Sequence, residues 1–156
     1  ILGSASPVLA RPQQQPWNLQ ESTDLLNTVR STGHFVGIDV DRCKNPNAPY
    51  GYATARGTLI ICATRHGDDL NELADTIRHE TIHLAQFCKG KKGGASIALL
   101  FPDRKEEIAV AAREGLGFVG QGYEPRQVAI ENEARVLAQV LEEEQVEALL
   151  NTHCDS

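Results

Sequence analysis

Methionine is absent from the 156 residues, so the chain as given is not expected to be an intact initial translation product. Long apolar runs are also absent, and none approaches the roughly eighteen residues that a membrane-spanning helix needs. Basic residues are not in excess, because the formal net charge is −6 and the isoelectric point is near 5.3. Internal repeats and long low-complexity tracts are lacking as well. These absences predict a globular protein of ordinary composition that binds neither membranes nor nucleic acids.

The first ten residues are small and weakly apolar, like the end of a secretory signal, and Val8-Leu9-Ala10 before Arg11 would serve as a cleavage site. The alternative is a disordered leader or an arbitrary boundary of the chain. We expect residues 1–16 to be a leader or signal-peptide remnant. Residues 17–156 are then long enough to form one domain with a buried core.

The feature that is present is a complete H-E-x-x-H motif at residues 79–83. His79 and His83 are four residues apart, so on a helix they project from one face. Two neutral imidazoles so placed can bind one Zn²⁺ together, which leaves Glu80 to act on a metal-bound water. The alternative is a helix that carries two surface histidines by chance. A random match has a chance of roughly one in a hundred in such a chain, which favours the metal site.

Local patterns place the motif on a helix. Asp69, with Glu72 three residues later, is typical of a helix N-terminus, and Gly90 is well placed to end the same helix. Apolar residues recur at helical spacing between these points, and the two histidines lie outside that stripe. A helix that stops at Gly33 precedes three β-rich segments, at residues 34–40, 50–55 and 57–63. Helical segments follow the motif, at residues 104–116 and from Pro125 onward. The sequence therefore predicts an α+β domain with a small antiparallel sheet before the motif helix.

The four cysteines form no C-x-x-C pair, which argues against a thiolate zinc site. Their even number fits two disulfides in an exported protein, and the alternative is four buried thiols in a reducing cytosol. Cys43 follows the first predicted strand, and Cys62 ends the strand that we expect in the same sheet. A bond between Cys88 and Cys154 would tie the last helix to the motif helix. Four cysteines allow three connectivities, and our hypothesis is these two pairs, together with a secreted or periplasmic location and the cytoplasm as the alternative.

A catalytic zinc needs a third protein ligand and an open position for water. No histidine follows at the extended H-E-x-x-H-x-x-G-x-x-H spacing, which argues against the metzincin branch. Downstream, the segment Glu131–Ala134 reads E-x-x-A and precedes the apolar Val136–Ala138. These two segments together resemble the zincin metallopeptidases of the gluzincin type, in which a downstream helix provides a glutamate. The resemblance implies a zincin-like fold with Glu131 as the third ligand.

Two features of the downstream helix bear on that ligand. Glu133 lies closer than Glu131 to the centre of the apolar face, and residues two apart on a helix diverge by about 200°, so both cannot face one metal. Many gluzincins also carry aspartate four residues after the ligand glutamate, where this chain has Arg135. The expected ligands are His79, His83 and Glu131, with Glu133 as the alternative to Glu131.

The resemblance implies a zinc-dependent endopeptidase with one Zn²⁺ per chain and a peptide or protein substrate. The ion would polarise the scissile carbonyl, and Glu80 would take a proton from water and pass it to the leaving amine. Tyr123 and His153 are candidates for stabilising the oxyanion. We expect the strand near Thr58–Cys62 to pair with the substrate, and the protein to be a monomer.

The competing hypothesis is a non-catalytic zincin-like domain that binds a metal or another protein. Such a domain would be expected to lack Glu80 or the downstream glutamate, and both are present. A metal carrier would require more histidine or cysteine ligands. The enzyme hypothesis is therefore favoured.

Overall fold

The computed structural model describes residues 19–116 and 123–154, so the leader predicted at residues 1–16 lies outside the described residues. Helices and a small sheet alternate along the chain: α1 (Gln20–Ser31), β1 (Phe35–Ile38), β2 (Gly51–Ala53), β3 (Thr58–Ile61), α2 (Leu70–Lys92), α3 (Lys105–Ala111), α4 (Pro125–Val140) and α5 (Glu143–His153). This order confirms the predicted α+β class. Among the described residues no helix combines the length and the apolar character that a bilayer span requires.

The three strands form a mixed sheet, with β3 in the centre. β2 pairs with β3 in the antiparallel direction, and β1 pairs with β3 in the parallel direction. The prediction of a wholly antiparallel sheet was therefore wrong for one of the two pairs. The reason is that the chain leaves β1 and crosses to the far side of β3 before it forms β2. A tight turn then closes the β2–β3 hairpin, where Gly57 takes a φ of 89°.

Helix α2 carries the motif and lies at the centre of the domain, in contact with α1, the sheet, α4 and α5. It begins as predicted, because the Asp69 carboxylate accepts a hydrogen bond from the Glu72 backbone N–H at 2.9 Å. The core around it consists of fully buried aliphatic side chains, which include Leu25, Leu26, Leu59, Ile61, Ile77, Ile82 and Leu150. Burial of each such side chain contributes about 1.5–3 kcal/mol, so the packing holds α2 firmly against its neighbours.

The end of α2 differs from the prediction, because the helix continues past Gly90 to Lys92. Gly90 is needed for a different reason. A Cβ atom at Gly90 would lie 2.5 Å from the Cα of Ile97, so only glycine allows the following segment to return so closely along the helix. That segment, residues 95–101, has no regular helix or strand. It is held to α2 by the Ala98 N–H, which donates to the Gln86 carbonyl at 3.1 Å.

Both predicted disulfides are confirmed. Cys43 pairs with Cys62 across a Cα–Cα distance of 5.5 Å, and Cys88 pairs with Cys154 across 5.3 Å. The first bond joins the turn after β1 to the end of β3. This is possible because β1 and β3 run parallel and end at the same edge of the sheet. The second bond ties the C-terminus of α5 to α2. Two disulfides indicate an oxidising environment.

The helix predicted at residues 104–116 is shorter than expected. α3 ends at Ala111, and a π-helical turn covers Ala112–Leu116, where Gly115 has a φ of 97°. Beyond it, α4 begins at Pro125 as predicted. Helix α4 packs alongside α2, and this contact brings the downstream glutamates to the motif.

Candidate metal centre

His79 and His83 lie one above the other on α2 and are both buried, with 8% of each residue exposed. Their ring centroids are 4.7 Å apart, and the two Nε2 atoms are 3.1 Å apart. The other ring nitrogen of His83, Nδ1, lies 2.7 Å from the Gln86 Oε1. The helical spacing therefore places the two Nε2 atoms together, as the motif predicts.

Glu131 projects from α4 toward these two atoms. Its Oε1 is 3.0 Å from the His83 Nε2, and its Oε2 is 3.5 Å from the His79 Nε2. The three side chains offer one ligand atom each within 4.8 Å of one another. Ligand atoms bound at about 2.0–2.1 Å to a tetrahedral ion lie roughly 3.3–3.5 Å apart. The donor set of two imidazoles and one carboxylate therefore fits Zn²⁺ in both chemistry and spacing.

Glu131 and His83 shift each other's pKa values in the direction that favours their charged forms. Burial works against the charged form of Glu131, but hydrogen bonds from His79 and His83 outweigh it and lower the pKa of the carboxyl. Burial also works against a charged His83, yet the hydrogen bond to Glu131 and the nearby Glu80 raise its pKa. Glu131 therefore carries a negative charge that faces the Nε2 atoms of the two histidines.

Glu80 lies beside the histidines with 12% of its side chain exposed, and its Oε2 is 3.9 Å from the His79 Nε2. Burial raises the pKa of its carboxyl, while the charges of His79, His83 and Arg135 oppose that rise. A carboxylate whose pKa is raised toward neutrality is a better proton acceptor than an exposed one. Helix α2 packs closely against β2 at this point, and a Cβ atom placed on Gly51 would lie 3.3 Å from the Glu80 Cγ.

Glu133 occupies a different environment from Glu131. It is only 1% exposed, and its carboxylate accepts hydrogen bonds from the Gln86 Nε2 and from the backbone N–H groups of Leu100 and Phe101. These bonds direct the carboxylate toward the segment after α2 and away from the two histidines. The structure therefore brings Glu131 to the histidines and does not bring Glu133, the alternative ligand, to them.

An open cleft of about 530 Å³ passes over the cluster. Glu80, His83 and Glu131 are among its lining residues, and β2 and α4 contribute to its walls. The rest of the lining includes the apolar side chains of Phe87, Ile97 and Ile130 and the polar side chains of Ser96, Tyr123, Arg126 and Gln127. A concave surface that combines apolar side chains with converging polar groups is typical of a ligand site.

The two candidates for oxyanion stabilisation are placed differently. Tyr123 lines the cleft together with His83 and Glu131, and about half of the residue is exposed. His153 is at the end of α5 and is not among the residues that line the cleft. Burial and the charges of Lys89 and Lys92 lower its pKa. The structure keeps Tyr123 near the candidate ligands and separates His153 from the cleft.

The strand expected to pair with a substrate was wrongly chosen. β3, at Thr58–Ile61, is bonded on both sides by β1 and β2, so it has no free edge. β2 is an edge strand, and all three of its residues line the cleft. The strand was expected to be the sheet edge beside the motif helix, but a continuous apolar run such as that of β3 is typical of a central, buried strand.

A second group of potential ligands, His34, Cys88 and Cys154, also comes together. Both sulfurs are bonded to each other, so they cannot act as thiolate ligands. Burial lowers the pKa of His34, and its Nδ1 lies 2.7 Å from the Thr32 Oγ1. The group is therefore part of the disulfide's surroundings and not a metal site.

Gln86 is the residue of the site whose role the sequence did not reveal. It lies three residues after His83 on the same helical face, and this spacing is the sequence feature that could have indicated a contact between the two side chains.

No protein-family model, curated protein or solved structure matches this chain. The case for a function therefore depends on the geometry of the site itself.

Proposed function

We propose that the protein is a zinc-dependent peptidase in which His79, His83 and Glu131 hold one Zn²⁺ and Glu80 is the general base. The observation that carries the proposal is the convergence of two buried imidazoles and one carboxylate at the bottom of an open cleft, with a second carboxylate beside them. A purely structural zinc site would have four protein ligands and no open side.

A Zn²⁺ ion held there would lower the pKa of a water molecule and polarise a peptide carbonyl. Glu80 accepts the proton that the water loses and then donates it to the leaving amine. Burial supports this exchange because it raises the pKa of Glu80, which makes the carboxylate a stronger base. Glu131 stays ionised in its contacts with the two histidines and keeps a negative charge available to a cation.

The edge of β2 is the surface on which we expect a peptide to align. An extended peptide can add to an exposed strand through backbone hydrogen bonds, while its side chains enter pockets on alternate sides. β2 borders the cleft and lies directly over α2 at Glu80. A peptide along β2 would therefore present its backbone to the candidate ligands, which favours an endopeptidase.

We propose that the metal site is of the gluzincin type. This proposal is supported by the arrangement of two histidines on one helix and a glutamate on a second helix that packs against it. At the position where many gluzincins have aspartate, Arg135 is exposed, and its charge partly offsets the rise that burial causes in the pKa of Glu80. The two disulfides support a secreted or periplasmic location.

Metal analysis and a peptide digest test the proposal together. Wild-type protein, a Glu80→Gln variant and a Glu72→Gln control would be purified without chelator, and each metal content would be measured by mass spectrometry. Glu72 is an exposed residue of the same helix and is not among the residues that line the cleft. Each protein would then be incubated with a mixed peptide library, and new termini would be identified.

We expect one zinc per chain in all three proteins and new peptide termini from wild type and Glu72→Gln only. Cleavage by Glu80→Gln at the wild-type rate would contradict the role of Glu80. Zinc without any cleavage would favour a non-catalytic metal-binding domain, and the absence of zinc would reject the proposed centre.

A further inference from the structure

Gln86 is completely buried and bridges the two helices of the candidate metal centre. Its Oε1 lies 2.7 Å from the His83 Nδ1 on the same helix. Its Nε2 donates to the Glu133 Oε1 at 2.9 Å and to the Ile130 carbonyl at 3.1 Å, both on α4. Every polar atom of the Gln86 side chain is therefore engaged.

The partners on α4 determine which way the Gln86 amide is oriented. A carboxylate and a carbonyl can only accept hydrogen bonds, so the amide must direct its NH₂ group toward Glu133 and Ile130. Its oxygen, which can only accept, is then the atom that faces His83. It follows that the His83 Nδ1 carries the hydrogen and donates it. In the neutral imidazole this leaves the lone pair on Nε2, the atom that faces Glu131.

Glu133 in turn is held in place by backbone groups. Its Oε1 accepts from the Leu100 N–H at 2.7 Å, and its Oε2 accepts from the Phe101 N–H at 2.9 Å. These residues belong to the segment that returns along α2 and contributes Ile97 to the cleft wall. One hydrogen-bonded chain therefore runs from that segment through Glu133 and Gln86 to His83.

We propose that Gln86 is a positioning residue that fixes the tautomer and ring orientation of His83 for Zn²⁺, with Glu133 holding Gln86 in the required orientation. The inference rests on the proposed function, because it assumes that His83 is a zinc ligand. Hydrogen bonds that orient a metal-binding histidine commonly change metal affinity by 10–100-fold when they are removed. Gln86 does not touch the reacting atoms, so its effect is on the ligand.

Two substitutions separate orientation of His83 from simple packing. Gln86→Met keeps a similar length and volume but has no strong acceptor, so the His83 N–H loses its partner. Gln86→Glu keeps an oxygen facing His83. Its second oxygen takes the place of the Nε2 that donates to Glu133 and Ile130, so the variant keeps the acceptor for the His83 N–H while it changes the contacts with α4. A Thr81→Val control removes another buried hydrogen bond of α2, from the Thr81 Oγ1 to the Ile77 carbonyl, outside this chain of contacts.

Zinc affinity of each variant would be measured by competition with a chromophoric chelator, and thermal unfolding would be followed for the zinc-free forms. We expect Gln86→Met to bind zinc about 10–100-fold more weakly than wild type, whereas Gln86→Glu and Thr81→Val stay close to wild type. The visible spectrum of bound Co²⁺ should change in Gln86→Met only. Since Gln86→Glu and Thr81→Val also perturb the core, their thermal stability should fall without a matching loss of affinity.

Wild-type affinity in Gln86→Met, or equal losses in Gln86→Met and Gln86→Glu, would overturn the positioning role while leaving the metal centre intact. Failure of the wild-type protein itself to bind zinc would instead reject the proposed function. Gln86→Leu takes the place of Gln86→Met in the same comparison if the latter does not fold.

Discussion

The His83 Nε2 lies 3.0 Å from the Glu131 Oε1, and this contact joins the motif helix α2 to the downstream helix α4. Two residues further along α4, Glu133 contacts Gln86 and the backbone after α2 instead. The two glutamates of α4 therefore act on different ring nitrogens of His83. Glu131 contacts the Nε2 directly, whereas Glu133 is connected to the Nδ1 through the side chain of Gln86.

Substitution of Glu131 should mainly reduce zinc affinity, whereas substitution of Glu133 should mainly reduce the stability of the fold. Glu131→Ala should weaken zinc binding by more than the roughly hundredfold that loss of a supporting hydrogen bond costs. Glu133→Ala should still bind one zinc at saturation, but two buried donors and one partly buried donor lose their acceptor, which should lower the free energy of unfolding by about 3 kcal/mol. Zinc titration and urea unfolding of the zinc-free proteins would measure both effects. The reverse pattern would mean that Glu133 is the ligand.

Zinc should stabilise the folded protein, because the three ligand atoms come together only in the folded state. Free zinc at a hundred times its dissociation constant raises the free energy of unfolding by about 2.7 kcal/mol. For a chain of this length we expect the melting temperature to rise by about 5–10 °C. A chelator should reverse the rise. Glu80→Gln should keep the rise and His79→Ala should lose it, since only the histidine holds the ion. A rise that persists in His79→Ala would indicate zinc bound elsewhere.

Alanine at Gly90 should destabilise the protein even though alanine favours helices. The gain in helix propensity is about 1 kcal/mol. Against it, the new Cβ would lie 2.5 Å from the Ile97 Cα, a backbone atom that cannot rotate away, and overpacking costs about 1–3 kcal/mol. Gly93→Ala is a matched control, because its Cβ would meet no atom closer than 3.7 Å. Urea unfolding should show a loss for Gly90→Ala alone, and equal stability of the two variants would contradict the close packing.

The two disulfides should differ in the stability they confer. The bond between Cys88 and Cys154 spans 66 residues, whereas the bond between Cys43 and Cys62 spans 19. In the chain-entropy model these loops correspond to about 4 and about 3 kcal/mol. Paired replacement of Cys88 and Cys154 by alanine should therefore cost more than paired replacement of Cys43 and Cys62. Unfolding of each double variant by guanidinium would decide the order, and mass spectrometry of a non-reduced digest would identify the bonds in the native protein.

Local features of the chain were predictable from the sequence because they depend on residues near one another. The spacing of His79 and His83 determines that they share a helical face, and Asp69 with Glu72 determines where that helix starts. The expected pairing of the cysteines was confirmed, because it depended on the order of strands and helices that local patterns identified. The three-residue spacing of His83 and Gln86 was equally visible, but nothing local showed what the far end of Gln86 would contact.

Other features were decided only when distant segments packed together. The sequence could not show that β3 lies between β1 and β2, because strand order depends on how the chain crosses the sheet and not on strand propensity. It left Glu131 and Glu133 open as ligands, because the choice depends on the rotation of α4 against α2. It placed a helix end at Gly90, where the structure has a contact with Ile97. The physical reason is common to all three: propensity and periodicity act over a few residues, whereas the partner that a side chain meets is set by contacts between segments far apart in the chain.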